Sequence, residues 1–111
     1  MTEPAMETVD SFGMTAERMF ADVWSRGVLS AKERRLLLLG LLVGQGIDDQ
    51  LEVQLDAALR AGELSESELR EVVVFLTHYA GWTRGSRLNN QVEDLIEGAR
   101  RGRSDRRGLG G

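Results

Sequence analysis

Apolar residues recur along this chain at the spacing of amphipathic helices, and no stretch shows the alternation typical of a strand. Ser30 with Glu33, and Ser65 with Glu68, have the Ser-x-x-Glu spacing of a capping box. Asp48 is expected to cap a further helix. Helices are predicted at residues 15–26, 30–44, 48–62, 65–81 and 83–98. The predicted fold class is all-α, a bundle of about five to six helices.

The second predicted helix carries leucine or valine around its whole circumference, in the run "LLLLGLLV". A helix that is apolar on all sides has to be buried on all sides. A single small domain can hardly surround one of its own helices completely. The pattern therefore predicts a homo-oligomer in which part of this helix lies against another subunit.

The length of 111 residues favours one domain, predicted at residues 15–98 between an N-terminal segment (1–14) and an Arg/Gly-rich tail (99–111). The stretch "RRGRSDRRGLGG" carries five Arg and one Asp, a net charge of +4; the total of −4 leaves −8 on the preceding residues. An acidic body argues against nucleic acid as the main partner. The tail is expected to be solvated or to dock on an acidic neighbouring subunit.

Composition removes several classes of chemistry. The chain has no cysteine and one histidine, which excludes disulfides, thiolate nucleophiles and His-rich metal sites. We expect neither a metal nor a cofactor. The acidic N-terminus lacks the apolar core of a secretory signal, and the longest apolar run is far shorter than the ~18 residues of a membrane span. A cytoplasmic protein without a membrane partner is expected.

Four residues of the fourth predicted helix, spaced i, i+4, i+7 and i+11, form one stripe. They are Glu71, Phe75, His78 and Trp82. His78 could transfer a proton at neutral pH beside the flat wall of Trp82. Alternatively, it is a structural residue in the last helical turn, where the helix dipole favours a cation. Arg34 and Arg35 could bind an anion or form ion pairs.

From about Phe20 to Ile96 the chain resembles the carboxymuconolactone decarboxylase family. The matching segments are "FADVWSRGVLSAKERRLLLLGLLV", "DQLEVQLDAALRAGELSESELREVVV" and "YAGW". The resemblance implies an all-α subunit that forms trimers or hexamers, with active sites near subunit contacts. One branch of the family uses a CxxC pair, which this chain lacks. The other decarboxylates lactone carboxylates without a cofactor.

The chain departs from the decarboxylase pattern at several positions. "VQLDAAL" stands where "LHxRGAL" is usual, so Gln54 replaces the family's histidine and Asp56 its arginine. "EVVVF" puts Phe75 where His or Gln is common. Arg34, Glu71, Tyr79 and Gly81 do match. The usual proton donor is therefore absent, and His78 is expected to compensate or the chemistry to have diverged.

The leading hypothesis is a decarboxylase-like enzyme acting on a small carboxylated or lactone-type metabolite. Its catalytic residues would be His78 as acid/base, Glu71 as electrostatic partner and Gln54 as hydrogen-bond donor to a carbonyl. Arg34 would anchor a carboxylate, and Phe75, Tyr79 and Trp82 would line the substrate site. The alternatives are a non-catalytic ligand-binding or assembly member of the family, and a different acid–base reaction such as isomerisation or cyclisation.

Overall fold

The computed structural model describes the backbone of residues 4–110 and the side chains of residues 11–105. Residues 1–3 and 111, at the ends of the predicted terminal segments, lie outside the described residues. The described chain consists of α-helices without strands, which confirms the all-α class. The helices are α1 (Pro4–Trp24), α2 (Ala31–Gln45), α3 (Asp48–Arg60), α4 (Glu66–Ala80) and α5 (Trp82–Gly110).

Both capping boxes are confirmed. The Ser30 hydroxyl accepts from the Glu33 N–H at 3.0 Å, and the Glu33 carboxylate accepts from the Ser30 N–H at 2.8 Å. Ser65 and Glu68 repeat the arrangement at 3.1 and 2.9 Å. Each box satisfies two backbone donors that the first helical turn leaves unpaired. The boxes fix where α2 and α4 begin.

The prediction that Asp48 caps α3 is wrong. The N-cap is Ile47, which makes no side-chain capping bond, and Asp48 is already the first helical residue. Gly46 ends α2 in the left-handed conformation at φ 71°, so the chain turns into α3 within two residues. Asp48 therefore sits in the first turn, where the helix dipole favours a carboxylate, and it lies 3.6 Å from the Arg87 guanidinium.

The two terminal helices are longer than expected. α1 begins at Pro4, a residue whose fixed φ suits the first helical position, rather than near residue 15. α5 does not end near Gly98 but continues to Gly110. Ion pairs from Arg100 and Arg103 to Glu66, and from Arg101 to Glu97, help to offset the cost of the glycines. The described part of the Arg-rich segment thus docks on its own α4.

The core lies between α2, α3, α4 and α5, where α4 packs along α5 and α2 along α3. Its fully buried large side chains are leucine, isoleucine and valine: Leu39, Leu51, Leu55, Leu64, Leu69, Leu88, Val92 and Ile96. α1 makes no extensive contact with the other helices of the described chain. None of the described helices is both long enough and apolar enough to cross a membrane.

α2 uses part of its apolar surface for this core. Leu39, Leu42 and Val43 are buried, whereas Leu37 is 64% exposed and Leu41 is 54% exposed. One chain therefore covers one side of α2 and leaves the other open.

The reversal from α4 to α5 depends on two glycines. Gly81 is the residue between the helices, and its φ of 97° is a conformation that other residues rarely adopt. The turn brings Gly85 against Thr77, whose hydroxyl donates to the Val73 carbonyl at 2.6 Å. A Cβ on Gly85 would lie 2.7 Å from the Thr77 Cβ. The close packing of α4 on α5 thus requires glycine here.

We expect Gly85→Ala to lower the free energy of unfolding by about 1–3 kcal/mol, the usual cost of overpacking, because α5 has to move away from Thr77. Gly98→Ala on the same helix is the control. A Cβ there meets no atom within 4 Å, so this change should stabilise by about 0.5–1 kcal/mol. Urea unfolding of both variants checks the pair. Equal effects would contradict the close approach.

The Glu33 cap predicts a pH dependence. The Ser30 N–H, followed by its hydroxyl, holds the pKa of Glu33 below its ordinary value of 4.5. Folding therefore favours the ionised carboxylate, so its contribution is complete above about pH 4.5 and is lost as the pH falls through the lowered pKa. Glu33→Gln should be less stable than wild type at pH 7, and the difference should vanish in acid. Unfolding free energies measured at pH 7 and pH 3 check this; a constant difference would contradict it.

Candidate functional site

Three residues of the predicted stripe, Glu71, Phe75 and His78, lie on an exposed face of α4. Trp82 does not continue the stripe, because α4 ends at Ala80 and the chain reverses at Gly81 before Trp82 begins α5. Phe75 is 58% exposed and Trp82 is 78% exposed, and the side chains of Glu71 and His78 also face solvent. The Phe75 and Tyr79 rings contact each other, with centroids 5.0 Å apart. The Phe75 and Tyr79 rings thus form an open aromatic surface on α4.

Part of the stripe borders a groove of about 400 Å³ between α2 and α4. Apolar side chains form most of its wall, and three charged residues lie among them. The groove is lined by Lys32, Leu36, Leu64, Glu68, Glu71, Val72, Phe75 and Leu76. The structure brings Glu71 and Phe75 together here, whereas His78, Tyr79 and Trp82 lie outside the groove lining.

The two carboxylates in this groove have different surroundings. One oxygen of Glu68 accepts from the Ser65 N–H, and the other pairs with the Lys32 ammonium. Lys32, first, and then the Ser65 N–H hold the pKa of Glu68 below its ordinary value. Glu71 has no hydrogen-bond or ion-pair partner among the described residues. Its carboxylate is the group in the groove that is available to a ligand.

His78 has a defined tautomer when it is neutral. Its Nδ1 lies 2.8 Å from the carbonyl oxygen of Val74, one turn earlier on α4. A carbonyl only accepts, so Nδ1 carries the proton and Nε2 keeps the lone pair. His78 follows Glu71 by seven positions, about 10 Å along the helix axis, with Phe75 between them. The two side chains are therefore too far apart to contact each other.

Gln54 lies in a separate polar cluster with Arg35, Glu63 and Trp24. Arg35 makes two bonds to Glu63, of 2.8 and 3.3 Å, and donates to the Gln54 side-chain oxygen. Its guanidinium carbon lies 4.6 Å from the centre of the Trp24 ring. The paired side chains of Arg35 and Glu63 are 14% and 15% exposed. This cluster ties α2, α3 and the end of α1 together.

Arg34 faces the turn between α1 and α2. Its guanidinium donates to the backbone carbonyls of Trp24, at 3.2 Å, and of Arg26 and Leu29. Most of its donors are therefore used within the chain. Its proposed part in binding a carboxylate stays a prediction, and the groove on α4 does not include it.

The family model described as carboxymuconolactone decarboxylase matches residues 10–94, more than half of the chain. The chain belongs to the carboxymuconolactone decarboxylase family. No solved structure matches the chain at a significant level.

Two curated relatives carry decarboxylase names. The 4-carboxymuconolactone decarboxylase of Acinetobacter baylyi is 27% identical over 78 residues, covering 70% of this chain and 58% of the relative. The nitrosuccinic acid decarboxylase npaB of Metarhizium robertsii is 34% identical over 80 residues, covering 72% of this chain and 51% of the relative. The matched region thus spans little more than half the length of each relative.

Membership of the carboxymuconolactone decarboxylase family gives the position of Gln54 a further meaning. Gln54 stands at the position where the resemblance places a histidine. Its side-chain oxygen, and not its amide nitrogen, faces Arg35, because a guanidinium can only donate. The Gln54 amide nitrogen has no protein acceptor among the described residues, so its predicted role as a donor stays open. Gln54 and Glu71 do not line the same groove.

The sequence analysis gives Lys32 no role, although its position one turn before Leu36 puts it on the same face of α2. For Arg35 the sequence leaves both anion binding and ion pairing open, and the structure shows an ion pair. Its partner Glu63 lies 28 positions further along the chain, and no local pattern indicates such a contact.

We expect Arg35→Met to lower the free energy of unfolding by about 2 kcal/mol, because Glu63 would lose its partner in a mostly buried position. This is less than the loss of a partner in a fully buried pair would cost. Arg101→Met is the control. Arg101 pairs with Glu97 on the surface of α5, and its loss should cost less than about 0.5 kcal/mol. Urea unfolding checks both variants. If Arg101→Met lowered the free energy of unfolding as much as Arg35→Met, the conclusion that the Arg35 cluster stabilises the fold would be contradicted.

Proposed function

We propose that this chain is a cofactor-independent decarboxylase of a small carboxylated metabolite, with the α2–α4 groove as its substrate site. The observation that carries the proposal is the unpartnered carboxylate of Glu71 in an apolar groove that also contains a lysine. Family membership and the decarboxylase names of both relatives support the reaction class.

The names of the relatives suggest the kind of substrate. Both describe a molecule with a carboxylate and an electron-withdrawing group, a lactone in one case and a nitro group in the other. When the bond between carbon and carboxylate breaks, CO₂ leaves and the electron pair moves onto the oxygen of the electron-withdrawing group. The carbon then takes a proton from a donor. The protein therefore has to bind a carboxylate, exclude water and deliver a proton.

The residues of α2 and α4 suit these tasks. The Lys32 ammonium, which pairs with Glu68 in the free chain, would bind the carboxylate that stays on the substrate in exchange for that pair, and Phe75 would give an apolar floor. A molecule lying along α4 over Phe75 would reach from the groove towards His78. Glu71 would be the electrostatic partner at one end. At the other end the protonated imidazole of His78 would give its Nε2 proton to the carbon that lost CO₂ and become the neutral ring.

We also propose that the working protein is a homo-oligomer, as a trimer or hexamer. The exposed side of α2 supports this, because leucines such as Leu37 would otherwise stay in water. A neighbouring subunit would also exclude water from the open aromatic surface of α4.

A second candidate function is that of a non-catalytic ligand-binding member of the family. One observation favours it: Arg34 and the side-chain oxygen of Gln54, two residues that the leading hypothesis assigns to the chemistry, make hydrogen bonds inside the chain. The same groove would then bind a small carboxylate without turning it over.

We expect the protein to release CO₂ from 4-carboxymuconolactone or nitrosuccinic acid. Glu71→Gln and His78→Asn should each lower kcat by about 10²–10⁴-fold, the usual contribution of a group that transfers a proton or stabilises charge in the reaction. Lys32→Met should mainly raise KM, because it removes a binding charge. CO₂ release and ultraviolet absorbance of the substrate are the measurements.

Glu52→Gln is the matched control, since Glu52 is also an exposed helical glutamate without a partner in the described chain but lies on α3. It should keep wild-type turnover. Unchanged turnover in Glu71→Gln would contradict the proposed site. Saturable binding of either carboxylate without CO₂ release would favour the non-catalytic function, and consumption of substrate without CO₂ would indicate a different acid–base reaction.

A further inference from the structure

α1 carries an apolar stripe that its own chain leaves exposed. The stripe follows the spacing i, i+4, i+7 and i+11, with a phenylalanine beside it, and these residues are Phe12, Ala16, Met19, Phe20 and Val23. Phe12 is 77% exposed. The charged side chains Glu17, Arg18 and Asp22 lie on the other faces of the helix. An amphipathic helix gains most of its stability by packing such a stripe, so this one requires a partner surface.

The rest of the chain contacts α1 at the C-terminal end of that helix. There the Trp24 ring stacks on Arg35, and the Arg34 guanidinium donates to the carbonyls of Trp24 and Arg26. These contacts fix the direction in which α1 leaves the bundle. The part of α1 before residue 20 has no extensive contact with the other described helices. α1 is thus a fixed arm that extends away from the bundle.

The size of the exposed surface fits a missing subunit contact. The radius of gyration is 17.7 Å, against about 13 Å for a compact chain of this length. The accessible surface is 8144 Å², against roughly 6100 Å² for a compact protein of this mass. The excess, about 2000 Å², is the area that each partner contributes to a large, permanent interface. The two long terminal helices together account for this extended shape.

A receiving surface lies next to the arm. The end of α1, the following turn and α2 enclose an apolar groove of about 650 Å³. It is lined by Phe20, Val23, Trp24, Arg26, Val28, Leu29, Arg34, Leu37, Leu38 and Leu41. Arg34 already donates to three backbone carbonyls, so covering it would leave few of its N–H groups without an acceptor. The exposed guanidinium of Arg26 also lies at this groove, and it has to stay at the rim in water when the apolar walls are covered.

We propose that the α1 arm of a second copy of this chain lies in the groove between α1 and α2, and that the two copies exchange arms about a two-fold axis. The arm and the groove are neighbours on one chain, so a single self-complementary contact buries both on both copies. The arm's stripe is apolar, like the groove walls, and its charges stay at the rim. This refines the homo-oligomer proposed above: a trimer has no two-fold axis, so of the two expected assemblies only the hexamer accommodates the exchange.

Cross-linking tests the contact without any need for turnover. The chain has no cysteine, so each introduced thiol is unique. Met19→Cys and Leu41→Cys chains are prepared separately, mixed to allow subunit exchange, and treated with a short bis-maleimide. The control pair is Met19→Cys with Arg60→Cys, whose position is exposed on α3. The yield of cross-linked heterodimer from Met19→Cys with Leu41→Cys should be at least about tenfold higher than the yield from the control pair, because proximity raises the effective concentration of the thiols. Equal yields would overturn the proposal.

The assembly state gives the second test. Wild type should sediment at low micromolar concentration as an even-numbered oligomer. Met19→Glu and Phe12→Glu should each weaken the two-fold association by about 100-fold with unchanged helical circular dichroism, because a carboxylate would enter an apolar contact. Val53→Glu, at an exposed valine on α3, is the control and should leave the assembly intact. A monomeric or trimeric wild type, or disruption by Val53→Glu but not by Met19→Glu, would overturn the proposal.

Discussion

The apolar circumference of α2 is the constraint on which the rest of this molecule depends. Its buried side, with Leu39, Leu42 and Val43, supplies the centre of the core to which α3, α4 and α5 contribute. Its open side presents Leu36 to the groove with α4 and Leu37 to the groove with α1. One helix thus forms a wall of the core, of the candidate substrate groove and of the groove proposed to receive the arm.

Most charges near these surfaces are paired, which gives the unpaired ones their significance. Lys32 pairs with Glu68, Arg35 with Glu63, and Arg70 with Glu93. Such pairs on or near the surface contribute modestly to stability but decide which groups a ligand can meet. Beside them, Glu71 has no partner in the described chain and faces a largely apolar wall. Under the proposed function, that carboxylate is the one that meets the substrate.

The sequence predicts what depends on short separations along the chain. Both capping boxes follow from a spacing of three residues, and the structure confirms them. The helical spacing also places Glu71, Phe75 and His78 on α4, but its extension to Trp82 is wrong, because α4 ends at Ala80 and Trp82 begins α5. The helix ends at Pro4 and Gly110 could not be predicted in this way, because the ion pairs that extend α5 reach Glu66 on another helix. The Arg35 cluster has the same origin, since it joins residues from three parts of the chain.

The structure brings some of the predicted site residues together and separates others, and this again depends on whether they are close along the chain. Glu71 and Phe75 share a groove because one helix carries both, whereas Gln54 belongs to the Arg35 cluster on the other side of α2. The family resemblance aligns all of these positions in sequence, but alignment does not show which of them face one another. If the homo-oligomer forms, a residue that is remote within one chain can approach the groove of another. His78, whose exposed Nε2 keeps its lone pair when the ring is neutral, is the residue for which that arrangement matters most. Under the proposed assembly, the chemistry would depend on how α2 is covered between copies, as well as on the residues of a single chain.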